Sequence, residues 1–399
     1  MKLFSSVGCL SGLSLALALP SPVQPPNPPL SSYVSSSKRS PPVPVVIWHG
    51  LGDRYDAAGL LSLKEDLESR PELEGIFVHI VKIGTDGAAD QKATFFGNAN
   101  DQIALACEQL SALPEITDPS RNPSGKFDAI GFSQGGQLLR GVVERCGGTG
   151  GLNVRNLITL GSQHLGISAL PPCPPNSSIF SPCRLMHLSL VHSSIYSSYA
   201  QNNIIPAQYF RNGDNPEELV KYLNGSSFLR DINNERIEDL PTMDSASGGK
   251  ARNETYKNNF ERLNKLVLLR FSHDQTVVPP TSAHFTLPAP TNSTTPPLPG
   301  FYDALPLEDL PLYQEDYIGL RSINERGDLV RGVCRGVHME IGKKCWQRVV
   351  SFLGERGERV VTQEDWDLSD EVEETETIKL EPELSRLRAT GKAQIVFQT

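Results

Sequence analysis

Beyond residue 18 the 399-residue chain has no apolar run long enough to cross a membrane. It also lacks an excess of positive charge. Its 37 Lys and Arg stand against 46 Asp and Glu, which leaves no basic footprint for nucleic acid. No spacing of His, Cys, Asp and Glu typical of metal sites is present, and no internal repeat is visible, so neither a resident metal nor a cofactor is expected. What is there is an ordinary globular composition, 38% hydrophobic, with material for one large or two ordinary domains. The net charge of −9 is local: residues 364–383 hold ten Asp/Glu and one Lys, so the rest of the chain is formally neutral.

The two ends differ from the middle. Residues 1–18 carry Lys2, an apolar stretch through Leu10 and Leu13 to Ala18, and the A-x-A pattern Ala16-Leu17-Ala18. This pattern predicts a secretory signal and a soluble mature chain in the secretory pathway, either secreted or held in a lysosome or vacuole. Residues 19–42 are rich in Pro and Ser and predict a disordered leader, and residues 358–399 predict a disordered acidic tail. Of seven cysteines, Cys9 belongs to the signal. The remaining six are Cys107, Cys146, Cys173, Cys183, Cys334 and Cys345, an even number that points to disulfides without fixing their connectivity. Sequons at Asn176, Asn224, Asn253 and Asn292 permit N-glycosylation.

Between the ends, residues 43–357 read as a single catalytic domain. Strand-like runs at 43–48, 76–83, 127–130, 157–160, 266–271 and 328–333 alternate in its first part with helical spacing at 57–69, 98–113 and 137–143. Such alternation predicts an α/β fold with a mostly parallel sheet, helices on both faces and a site at the carboxyl ends of the strands. From 167 to 260 the pattern loosens into a Pro/Cys segment, a helical stretch at 185–200 and polar loops at 211–259. This reads as an insertion over the sheet. A closing helix is expected over 344–353, and 286–300 reads as a loose Pro/Thr-rich loop.

The centre of this pattern is Gly131-Phe132-Ser133-Gln134-Gly135-Gly136. Its G-x-S-x-G spacing lies between a strand and a helix, where a tight turn lifts a serine hydroxyl above the sheet and a helix N-terminus faces a developing oxyanion. A serine needs a base, and the base needs an orienting acid, in the chain order Ser, Asp/Glu, His for this fold. Asp274 follows the run 266–271, and His338 follows the run near 329–333. His284 ends no clear strand and His273 adjoins Asp274. His49 and His164 precede Asp274 and break the order, and His187 and His192 fall in the insertion. For the oxyanion, the backbone N–H groups of Gln134 and Leu51 are the candidates, Leu51 lying in the glycine loop after the first strand.

Six segments together resemble the palmitoyl-protein thioesterases, most closely the first lysosomal type. They are His49–Asp53, Gly131–Gln137, Gly161–Gly166, Asp231–Arg236, Asp274–Pro279 and Val337-His338, in the family's order over roughly 44–354. The resemblance implies an α/β-hydrolase with Ser133, Asp274 and His338 as triad, no cofactor, and removal of long-chain fatty acyl groups from S-acylated proteins or peptides. Cys107 with Cys146 and Cys173 with Cys183 fall where the family has disulfides. Cys334 and Cys345 depart from it and are candidates to pair across His338. The insertion is the expected wall of an acyl groove, with Gln163, His164 and Gly166 at its mouth. An esterase or lipase acting on oxygen esters, or an acyl-binding protein without catalysis, are the competing readings.

Overall fold

The computed structural model describes residues 41–191, 194–212, 216–239, 251–287 and 305–354. The expected signal, nearly all of the leader, most of the Pro/Thr-rich loop, Asn292, His192 and the acidic tail lie outside the described residues.

Six strands form one sheet in the order β2-β1-β3-β4-β5-β6, every neighbouring pair parallel. They are β1 (Val45–Trp48), β2 (Val78–Ile80), β3 (Phe127–Phe132), β4 (Val154–Leu160), β5 (Lys265–Phe271) and β6 (Leu329–Cys334). The helices are, in chain order, α1 (Ala58–Ser69), α2 (Gly87–Phe95), α3 (Ala99–Ser111), α4 (Pro114–Thr117) and α5 (Gln134–Cys146). Next come α6 (Pro182–Val191), α7 (Ser198–Asn203), α8 (Ile205–Gln208), α9 (Pro216–Gly225), α10 (Leu229–Ile232) and α11 (Glu254–Phe260). The last are α12 (Pro311–Gln314), α13 (Leu320–Glu325) and α14 (Lys343–Ser351).

Alternate side chains of each strand feed opposite layers, because the side-chain period of a strand is two. Val45 and Ile47 of β1 and Val267 and Leu269 of β5 pack with Leu60 and Leu67 of α1 and Trp346 and Val349 of α14. Val46, Trp48, Leu266 and Leu268 face the other way, onto Ile103 and Leu110 of α3 and Leu138 and Val142 of α5. A sheet covered on both faces has strands that are apolar nearly throughout, which is why these runs were visible in the sequence. The strand order reverses at β1, with β2 on one side and β3 on the other. This places the crevice between the loops that follow β1 and β3.

Three stretches differ from the sequence reading. Residues 211–259, expected as polar loops, contain α9, α10 and α11. Each is at most three turns long and buries a few residues, such as Tyr222, Leu229 and Phe260, too few to make a periodic stripe. Helix α2 was not anticipated either. Its inward face is formed by Gly87, Asp90, Thr94 and Phe95, so it has no apolar signature, although Asp86 caps it by accepting from the Ala89 amide. The strand expected over 76–83 is shorter, covering three residues.

Candidate active site

The carboxyl ends of β3, β5 and β6 each deliver one side chain to the same edge of the sheet. Ser133 follows β3 directly and holds φ 49°, ψ −121°, a conformation costly for a non-glycine residue and typical of a sharp strand-to-helix turn. The turn is fixed by Ser133 donating its amide to Leu160 O at 2.8 Å and by the Gly136 amide donating to Ser133 O. Gly135 must lack a side chain, because a Cβ there would collide with the carbonyls of Trp48 and His49.

His338, four residues past β6, turns Nε2 to Ser133 Oγ at 3.0 Å and Nδ1 to Asp274 Oδ2 at 2.7 Å. Asp274, three residues past β5, also accepts the amides of Thr276 and Val277 through Oδ1, which sets the carboxyl plane. All three side chains are buried. Phe271 meets the imidazole edge-on, and Gly161, at φ 60°, leaves room for its Cε1. With a carboxylate on Nδ1, the tautomer is N–H on Nδ1 and a free lone pair on Nε2, aimed at the serine.

The loop after β1 lies alongside. Leu51 is buried against Phe95 of α2 and against Cys183 and Met186 of the insertion. Gln134 is the first residue of α5, and its side-chain oxygen accepts the Tyr209 hydroxyl at 3.0 Å.

The three residues expected at the groove mouth are not equivalent. Gln163 is close to Tyr209 and buried. His164 is enclosed in the interior rather than on a groove wall: its ring stacks on Phe285 with centroids 4.6 Å apart, and Nε2 meets Thr159 Oγ1 at 3.0 Å. Burial and the nearby Arg140 hold this imidazole well below its ordinary value, so it stays neutral. The Gly166 carbonyl accepts Ser282 Oγ, which supports the loop from beneath.

The other histidines are occupied elsewhere. His284 packs on the Gly332 carbonyl, with burial pushing its value down to about 3. His273 meets Ser272 Oγ, and His187 meets the Pro171 carbonyl. Asp328 sits at the start of β6, away from the site, and is paired with Lys265 and Arg326.

Disulfides join Cys107 with Cys146, Cys173 with Cys183 and Cys334 with Cys345. The first two are the pairings that the resemblance implies, and the third spans the segment holding His338. Among the described residues, the grouping of metal-ligand type is Cys173, Cys183 and His187, and both its sulfurs are already joined to each other. No helix among the described residues is long and apolar enough to cross a membrane.

The sequence profile of the family described as palmitoyl protein thioesterase matches residues 44–338, from β1 to the histidine of this site. The chain belongs to that family. Its thioesterase relatives include palmitoyl-protein thioesterase 1 of Caenorhabditis elegans, 31% identical over 306 residues that cover 75% of this chain and 87% of the relative. A palmitoyl-protein thioesterase-dolichyl pyrophosphate phosphatase fusion of Schizosaccharomyces pombe is 30% identical over 75% of this chain and 41% of the fusion. The lysosomal thioesterase PPT2 of Mus musculus is 28% identical over 58% of this chain and 65% of the mouse protein. As a member of this family the protein is a hydrolase of thioesters, carried on an α/β-hydrolase sheet.

Proposed function

We propose that the protein removes long-chain fatty acyl groups, palmitate among them, from S-acylated cysteines of proteins or peptides, with Ser133 as nucleophile, His338 as base and Asp274 as its orienting acid. The observation that carries this is the unbroken chain from Ser133 Oγ to His338 Nε2 at 3.0 Å and from Nδ1 to Asp274 at 2.7 Å, in a member of this family. His338 takes the hydroxyl proton as Oγ bonds to the acyl carbon, and the carbonyl π pair moves onto oxygen. The oxyanion is held by the Leu51 and Gln134 amides, the second reinforced by the N-terminus of α5. Collapse breaks the C–S bond and leaves an acyl-serine, and the thiolate accepts the proton from His338. A cysteine thiol, with pKa near 8.5, leaves with little assistance. Water then attacks the acyl carbon, His338 takes its proton, and Ser133 Oγ leaves with that proton as the fatty acid departs.

The acyl chain needs an apolar wall, since each CH₂ taken from water contributes about 0.8 kcal/mol. The insertion from 167 to 260 supplies it in this reading. Its residues Met186, Ala200, Ile204 and Ala207 cluster around Leu51 and Phe95, beside the nucleophile, with Gln163 at the mouth. The setting is a lysosome, a vacuole or the exterior. Three disulfides, the exposed sequon residues Asn176, Asn224 and Asn253, and a relative named as lysosomal support that setting.

The test compares turnover of a palmitoyl-cysteine peptide with that of triacylglycerol. Preference for the thioester is expected. Faster cleavage of the oxygen ester would move the protein to the lipase reading. Labelling of Ser133 by a fluorophosphonate, lost in Ser133→Ala, excludes a non-catalytic acyl binder.

A further inference from the structure

Besides the apolar packing of Leu51, the loop that passes beside the nucleophile is held by a set of polar contacts from one helix. A little over one turn of α2 presents Asp90, Gln91 and Thr94 to residues 49–55. The Gly52 amide donates to Thr94 Oγ1 at 2.8 Å, Gln91 Nε2 donates to the Gly52 carbonyl at 2.6 Å, and the Tyr55 amide donates to Asp90 Oδ2 at 2.8 Å. Asp90 Oδ1 reaches past the loop to accept the amides of Ile83 and Gly84, at 2.7 and 2.9 Å. This carboxyl has no exposure to solvent.

The remaining contact of Asp90 is with His49, itself 2% exposed. Nε2 of His49 lies 2.7 Å from Asp90 Oδ2, an ion pair in distance although its N–H is poorly aligned with the oxygen. Nδ1 lies 3.2 Å from the Gly50 carbonyl. Both ring nitrogens therefore face acceptor oxygens. Burial alone would raise Asp90, but His49 and the amides of Gly84 and Ile83 outweigh it and hold the group below its ordinary value.

His49 is also where the loop touches the catalytic serine. The next residue, Gly50, runs so near that a Cβ added there would stand 3.0 Å from Ser133 Cβ, and the His49 carbonyl abuts Gly135 of the nucleophile turn. Leu51, whose amide is assigned to the oxyanion, follows at once. A removed partner would leave a buried charge behind, so the pair is worth more intact than its separate members.

We propose that His49 and Asp90 form a buried imidazole–carboxylate pair that fixes the loop at the angle the Leu51 amide needs, which makes both positioning residues for acyl transfer. This rests on the reading of Ser133 and the oxyanion hole given above. The transition state gains from a correctly aimed donor and the ground state does not, so the loss falls on kcat.

The experiment is steady-state kinetics on a water-soluble acetyl thioester, with thermal unfolding recorded for each variant. His49→Ala and Asp90→Asn are each expected to lower kcat about 100-fold, the scale of a lost oxyanion donor, with KM changed less than about threefold. His49→Gln keeps a donor directed at Asp90 and should recover at least about tenfold over His49→Ala. The double variant His49→Ala, Asp90→Asn should cost no more than either change alone, because the two act as one unit. Turnover within about threefold of wild type in folded His49→Ala would overturn the proposal, and so would additive losses or no recovery by glutamine. Should His49→Ala fail to fold, the comparison of His49→Gln with Asp90→Asn carries the same test. Absence of thioester turnover in the wild-type protein would instead sink the underlying functional reading.

Discussion

At the scale of single residues, the site depends on three side chains whose separate environments differ. Ser133 is held at positive φ by its own turn, Asp274 by two amides of its own loop, and His338 by the two of them together. Ser133→Ala should therefore remove acyl-enzyme formation while the fold persists. Asp274→Asn should lower kcat by about 10⁴-fold, since an amide cannot hold the required tautomer, and should move the unfolding temperature far less. Near-normal turnover of that variant would give the orienting role to another acid. These three positions were legible in the sequence because each follows an apolar run and their order is fixed by the topology. The partner of His49 was not. Asp90 lies in a helix with a polar inward face, and nothing in its spacing links it to the glycine loop that follows β1.

At the scale of elements, α5 and its neighbours transmit packing to Ser133. Gly135 lies against the carbonyls of Trp48 and His49, so Gly135→Ala should push the first-strand loop outward. Fluorophosphonate labelling of Ser133 in that variant should slow by at least about tenfold, on the scale of a displaced oxyanion donor. Labelling at the native rate would show that the loop yields without consequence. The bridge from Cys107 in α3 to Cys146 at the end of α5 closes a loop with a sequence separation of 39 residues. By loop-closure entropy, replacing both cysteines with serine should cost about 4 kcal/mol, readable as a shift of the denaturation midpoint. The long helices α1, α3 and α14 were legible because each buries an apolar stripe. Helices α9, α10 and α11 of the insertion were not, because elements of one to three turns bury too little to show a period.

At the scale of the whole molecule, the parallel sheet was readable from strands that are apolar on both faces, whereas the insertion owes its shape to polar contacts across long sequence distances. A different contact, within α5 on the sheet itself, bears on pH. Glu144 is fully buried 3.6 Å from Arg140, and neither of its carboxyl oxygens has a hydrogen-bond partner among the described residues. Burial raises its pKa from 4.5 to about 8, only partly offset by Arg140 and Arg145. The folded protein thus keeps a proton that the unfolded chain sheds above 4.5. Stability from this group is greatest below that pH and declines by about 1.4 kcal/mol per unit as pH rises toward 8. Glu144→Gln should flatten the dependence of unfolding temperature on pH between those limits, and an unchanged slope would mean that the carboxyl is already ionised against Arg140. An acid compartment is where the native residue is least costly. The most direct test of the central claim is intact-mass analysis after brief mixing with a palmitoyl-cysteine peptide at low temperature. The account predicts a palmitoyl adduct on the wild-type protein that decays with release of palmitate, and none on Ser133→Ala. A palmitoyl adduct of equal yield on the alanine variant, or thioester turnover that survives the substitution, would contradict it.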